Sequence, residues 1–219
     1  MAEALREFPL KSGALMGERF ADMTAEIAAR AEAAETAGLA EDMAALHGSG
    51  LLAACLPTAM GGEGLGQSAD AAERIFDILR GLGRANLSVG RLYEGHVNAL
   101  KLVQLYGDAD VQTHMAEQVR NGALLGVWGA DGARPLRFRK DGHGLILDGQ
   151  KQFASGLGLV RFAVVSLREQ GEEAGPVRLA LVEVGDTARQ DAASWRAAGM
   201  RATRSGSYDF TGVLLAEGQ

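Results

Sequence analysis

The sequence predicts an α+β fold, with an all-helical N-terminal domain followed by a small antiparallel β-barrel or sandwich domain. Three observations predict it. Charge is uneven, since residues 1–120 carry 10 Lys/Arg against 17 Asp/Glu and residues 121–219 carry 12 against 11. Texture changes at the same place, from alanine-rich helical spacing to short Val, Leu and Phe runs between glycines. The chain of 219 residues is 47% apolar, enough for a sizeable core in one large or two modest domains. The boundary falls near Asn121-Gly122, giving domains 1–121 and 122–219.

The helices come first. Over residues 16–37, Phe20, Met23 and Ile27 share a stripe and Gly38 is a stop. A short helix covers 40–47. Residues 48–66 are a break, where Pro57 and the run GGEGLG at 61–66 oppose helix. Ser68 caps the next helix, whose stripe is Ile75, Ile78, Leu79 and Leu82. A long helix over 88–106 lines up Val89, Leu92, His96, Ala99, Leu100 and Val103. Gly107 ends it, Asp108 starts another, and Val111, Met115 and Val119 mark that last helix before Gly122.

The strands follow. Residues 123–128 form the first. Segments 144–147 and 151–155 flank Asp148-Gly149 and predict a hairpin, because both turn residues tolerate positive φ. Further strands cover 160–168, 177–184 and 207–215. Short turns without intervening helix patterns predict antiparallel pairing.

Several functions are excluded or left open. No apolar run approaches the ~18 residues of a membrane span. Residues 1–11 show no secretory signal and a single cysteine allows no internal disulfide framework, so a cytoplasmic location is expected. Cys55, in an apolar run, reads as a small buried hydrophobe. A net charge of −6 disfavours nucleic acid. His47, His96, His114 and His143 are scattered and give no metal site. His96 is a core histidine or a ligand-side group. The glycines at 62, 64 and 66 miss the dinucleotide spacing, and 144–151 has Gln150 where a phosphate loop needs Lys. Arg134, Arg137, Arg139 and Lys140 around Phe138 form either a solvated strand edge or an anion site.

Five segments carry a resemblance: LLAACLPTAMGGEGLG at 51–66; residues 95–122 with Tyr106-Gly107-Asp108; GHGLILDGQKQFASG at 142–156; the strand at 160–167; and GMRATRSGSYDFTGV at 199–213. In that order the chain resembles the acyl-CoA dehydrogenase family. Phe153-Ala-Ser155-Gly156 and the segment from Gly199 look closer to its flavin monooxygenase and atypical branch. The resemblance implies FAD as cofactor, an acyl-CoA or related small molecule as substrate, and an oxidoreductase acting by proton abstraction and hydride transfer to the flavin. It places Trp128, Gly129, Phe153 and Ser155 on the cofactor, Phe153 as an aromatic face and Ser155 as a hydroxyl donor. Arg134 and His96 are the substrate-side candidates.

The sequence also departs from the family. The loop at 128–136, WGADGARPL, has Gly129 where the family has Thr, and Pro135 near its usual Ser. No catalytic base is identified, because the family places it in a C-terminal helical bundle beyond the segments matched here. The resemblance therefore implies a homo- or hetero-oligomer, or a separate chain carrying that bundle. The alternatives are a non-catalytic scaffold subunit or a monooxygenase-type member.

Overall fold

The computed structural model describes residues 17–142 and 144–216. Met16, where the first helix was expected to start, and His143 lie outside the described residues. Helix α1 (Glu18–Ala37) buries Met23, Ile27 and Ala34. Helix α2 (Ala40–Gly48) holds Asp42, which is buried because Arg30 of α1 reaches it at 2.7 Å. The apolar run at 51–56 is partly helical after all, as one turn, α3 (Leu51–Ala54). The glycine run then folds back over α3. Glu63 and Leu65 N–H groups both donate to the Ala54 carbonyl. A Cβ on Gly62 would lie 2.1 Å from the Leu56 carbonyl oxygen, so only glycine fits.

Each of the next three helices starts on a capping side chain. Ser68 accepts from the Ala71 N–H and opens α4 (Ala69–Ala85). Asn86 accepts from Ser88 and opens α5 (Leu87–Tyr106). Asp108 accepts from Val111 and opens α6 (Ala109–Arg120). These oxygens satisfy amides with no partner inside the helix. The predicted α5 stripe is buried in full. Helices α4 and α5 cross at glycines, with Gly83 Cα 3.0 Å from where a Gly90 Cβ would sit.

Nine strands follow among the described residues: β1 (Leu124–Trp128), β2 (Arg137–Asp141), β3 (Gly144–Asp148), β4 (Gln150–Ala154), β5 (Val160–Glu169), β6 (Arg178–Glu183), β7 (Gln190–Asp191), β8 (Gly206–Asp209) and β9 (Leu214–Leu215). One curled sheet runs β1-β5-β2-β3-β9, with β6 also on β5. The second runs β4-β8-β7. The α+β class stands, with helices first and strands after. Two pairings differ from the antiparallel expectation, because β5 runs parallel to both β1 and β2.

The predicted hairpin at Asp148-Gly149 is corrected. Strand β3 pairs β2 and β9, while β4 pairs β8, so Asp148-Gly149 is a corner between sheets. Gly149 has φ 115, and a Cβ there would strike the Pro135 carbonyl oxygen at 2.4 Å. The hairpin in this region is β2–β3, closing at Asp141 and Gly144. Between the sheets lie Trp128, Tyr208 and Phe210, with ring centroids 4.8–6.5 Å apart.

Candidate functional site

The site grows from an irregularity in β4. Gln152 faces Ser207 and Ala154 faces Gly206, so Phe153 is an extra residue on one strand of the pair. This is a bulge, which re-aims a side chain. Phe153 takes φ 55, an unfavourable conformation for a bulky residue, and the residue stands 54% exposed. Only Phe153, Met200 and Arg204 have positive φ among the described non-glycine residues, and all three belong to this strand pair and the loop leading into it. Strain clustered in this way is a pointer to function.

Trp195 completes the aromatic edge. Its ring meets Phe153 edge-on, 6.3 Å between centroids at 84°. The indole N–H donates to the Met200 carbonyl at 3.1 Å. Asp191 holds the preceding turn by accepting from the Ala193 and Ser194 amides. Trp195 was missed by sequence reasoning; its one signal was a lone large aromatic in the polar stretch QDAASWRAAG.

Beside this edge runs a chain of buried hydroxyls. Ser155 Oγ lies 2.8 Å from Ser205 Oγ, and Ser205 Oγ lies 2.7 Å from Thr203 Oγ1. Thr203 donates to the Met200 carbonyl at 2.8 Å. Ser155 also lines a small cleft between α5 and β1 with Arg91, Gly95, Gly126 and Trp128. Thr203 and Ser205 lie in a segment the sequence had flagged only as a whole.

The other candidates sit elsewhere or are already engaged. The Trp128 indole is buried and donates to the Ser155 carbonyl at 3.1 Å, so it supports the Ser155 backbone and shows no face to a ligand. The Gly129 carbonyl accepts from Lys151 Nζ at 3.1 Å and from the Ser166 hydroxyl at 3.0 Å. Lys151 is 1% exposed and ion-paired with Asp131 at 2.7 Å, so it fixes this loop from beneath. Arg134 is held by Asp209 at 2.8 Å and Thr211 at 3.0 Å. The basic cluster likewise divides: Arg137 pairs with Glu173, and Phe138 is buried under Arg178.

His96 is fully buried with both ring nitrogens used. Nδ1 accepts from the Leu125 N–H at 3.0 Å and Nε2 lies 2.8 Å from the Leu52 carbonyl. A carbonyl only accepts, so Nε2 carries the proton. Burial lowers the pKa to about 4, against the raising effect of the Leu52 bond. No ring nitrogen is left for a substrate. Burial also raises the Cys55 thiol to about 11, which suits a small core residue and not a nucleophile. Among the described residues no group of His, Cys, Asp or Glu is placed to hold a metal. Nor is any described helix long and apolar enough to cross a membrane.

No family model matches the chain. It is 30% identical over 182 residues to dibenzothiophene monooxygenase of Rhodococcus erythropolis, covering 78% of this chain and 42% of that protein. The chain thus spans less than half the length of the curated relatives it matches. Among solved structures it resembles methanesulfinate monooxygenase from Pseudomonas fluorescens, with a TM-score of 0.75 and 22% identity over 92% of this chain and 51% of that one. It also resembles TdsC from Paenibacillus sp. A11-2 in complex with FMN and indole, with a TM-score of 0.74 and 24% identity over 90% and 51%.

Proposed function

We propose that this chain, which has the acyl-CoA dehydrogenase fold, is the flavin-facing part of a flavin-dependent monooxygenase. The observation that carries the reading is Phe153: an exposed aromatic ring held at positive φ on a bulge, beside Trp195 and a hydroxyl chain. An aromatic face with adjacent hydrogen-bonding groups fits a planar heteroaromatic ring. The monooxygenase relatives favour this reading over the dehydrogenase one implied by the family resemblance. The FMN bound to TdsC favours FMN over FAD.

In this reading Phe153 packs against the flavin ring, Trp195 closes its edge and excludes water, and Ser155 hydrogen-bonds the ring. Flavin delivered in its reduced form would supply the two electrons that, with two protons, reduce dioxygen, one atom passing to the substrate and the other leaving as water. Trp128 and Lys151 hold the β1 and β4 backbones in place. Neither Arg134 nor His96 is kept as a substrate group. Self-association or a partner remains part of the proposal. Tyr106, Leu179 and Leu214 are exposed apolar residues beside clefts between α5, α6 and the curled sheet, the larger about 480 Å³.

The test is a visible spectrum of the chain after loading with FMN or FAD and removal of excess. A retained band near ~450 nm, stronger with FMN and lost in Phe153→Ala, is expected. Retention of neither flavin overturns the reading. Retention of FAD alone returns the chain to the dehydrogenase reading.

A further inference from the structure

We propose that Ser205 and Thr203 fix the sense of the Ser155 hydroxyl, so that Ser155 meets a bound flavin as a hydrogen-bond acceptor and favours the reduced form. The inference rests on the flavin reading above. It reverses the donor role that the sequence resemblance implied for Ser155.

Each hydroxyl has one hydrogen to donate and two lone pairs. Three hydroxyls form three bonds: Ser155 to Ser205, Ser205 to Thr203, and Thr203 to the Met200 carbonyl. The carbonyl only accepts, so the Thr203 hydrogen is committed to it. The Ser205–Thr203 bond must then use the Ser205 hydrogen. The Ser155–Ser205 bond must in turn use the Ser155 hydrogen. Every hydrogen points toward Met200, and Ser155 has only a lone pair left to offer. Thr203 is 1% exposed, Ser205 5% and Ser155 8%, so water does not readily replace these bonds. The segment is fixed at both ends. Gly156 N–H donates to the Thr203 carbonyl at 2.7 Å, and Met200 is held at φ 53 with the Trp195 indole on its carbonyl.

A ligand atom facing Ser155 must therefore bring a hydrogen. Oxidised flavin presents a bare N5 lone pair, and reduced flavin presents N5–H. A fixed acceptor repels the first and binds the second. Ser205 and Thr203 are positioning residues for this effect.

The experiment measures the two-electron reduction potential of FMN bound to the full chain, by equilibration with a reference dye. Ser205→Ala frees the Ser155 hydrogen to serve oxidised FMN. The preference for reduced over oxidised FMN then falls about tenfold, a shift of about 30 mV to more negative potential. Thr203→Val shifts it the same way, because Ser205 can turn its hydrogen back to Ser155. Ser205→Thr keeps the hydroxyl and the wild-type potential. Thr203→Val carries the test if Ser205→Ala does not fold, as judged by circular dichroism. An unchanged or more positive potential in a folded, FMN-loaded Ser205→Ala or Thr203→Val variant overturns the proposal and leaves the flavin reading standing. A wild-type chain that takes up no flavin overturns both.

Discussion

His96 Nδ1 accepts the Leu125 backbone N–H at 3.0 Å, so one imidazole joins the long helix α5 to strand β1. The same ring bonds the Leu52 carbonyl at 2.8 Å, tying in α3. The Leu125 bond needs a neutral ring, since a protonated Nδ1 has no lone pair to accept with, whereas the Leu52 bond is kept on protonation.

This joint predicts a pH dependence. The folded pKa of about 4 lies below the ordinary value of 6.5. The unfolded chain therefore binds the proton first, and the joint's stability is complete above pH 6.5 and lost as pH falls toward 4. Stability is expected to drop by roughly 3 kcal/mol over that range from this group. Urea midpoints against pH measure it. His96→Gln should be less stable at neutral pH and lose this part of the slope.

Phe153 predicts a conflict between stability and binding. Its φ of 55 strains the chain, while its exposed ring buries little. Phe153→Gly is expected to stabilise the chain by about 1 kcal/mol and to weaken FMN retention. A parallel denaturant titration and flavin-loading assay would show both. A destabilised variant would mean that the ring's contact with Trp195 outweighs the strain.

The Lys151–Asp131 pair predicts an asymmetry. Lys151 is 1% exposed and Asp131 43% exposed on their side chains. Asp131→Asn leaves a buried ammonium without its counter-charge and should cost about 3 kcal/mol. Lys151→Met removes the buried charge itself and leaves Asp131 to water, at about 1 kcal/mol. The order of the two urea midpoints decides it.

Two glycines four residues apart predict different costs. Gly62→Ala places a methyl against the Leu56 and Ala53 carbonyl oxygens at 2.1 and 2.6 Å. Gly66→Ala meets nothing within 4 Å and suffers only its φ of 77. The first should cost about 3 kcal/mol and the second about 1 kcal/mol. Thermal unfolding of the two variants compares them directly.

The helices were legible because their apolar spacing and caps act within a few residues, as Ser68 and Asp108 show. The corner at Gly149 was not. An Asp-Gly pair looks the same whether the next strand turns back or leaves for another sheet, and the Pro135 carbonyl that settles it comes from another loop. Phe153 and Ser155 were named through family resemblance, but nothing in the letter Phe announces a positive φ. The Ser155–Ser205 bond joins residues 50 apart, and no local pattern encodes it. His96 shows the opposite limit: its helical stripe was right, and only the contacts of its two nitrogens separate a joint from a ligand.

The parallel register of β1 on β5 bears on the order of events during synthesis. Leu124–Trp128 finds its sheet neighbour only in residues 160–165, with β2, β3 and β4 made in between. As the chain leaves the ribosome, β1 emerges as an unpaired apolar strand before β5 is made. Such a strand is a template for wrong pairing until its partner arrives. Slow translation between Gly129 and Leu159 would lengthen that exposure, whereas slow translation after Glu169 would not.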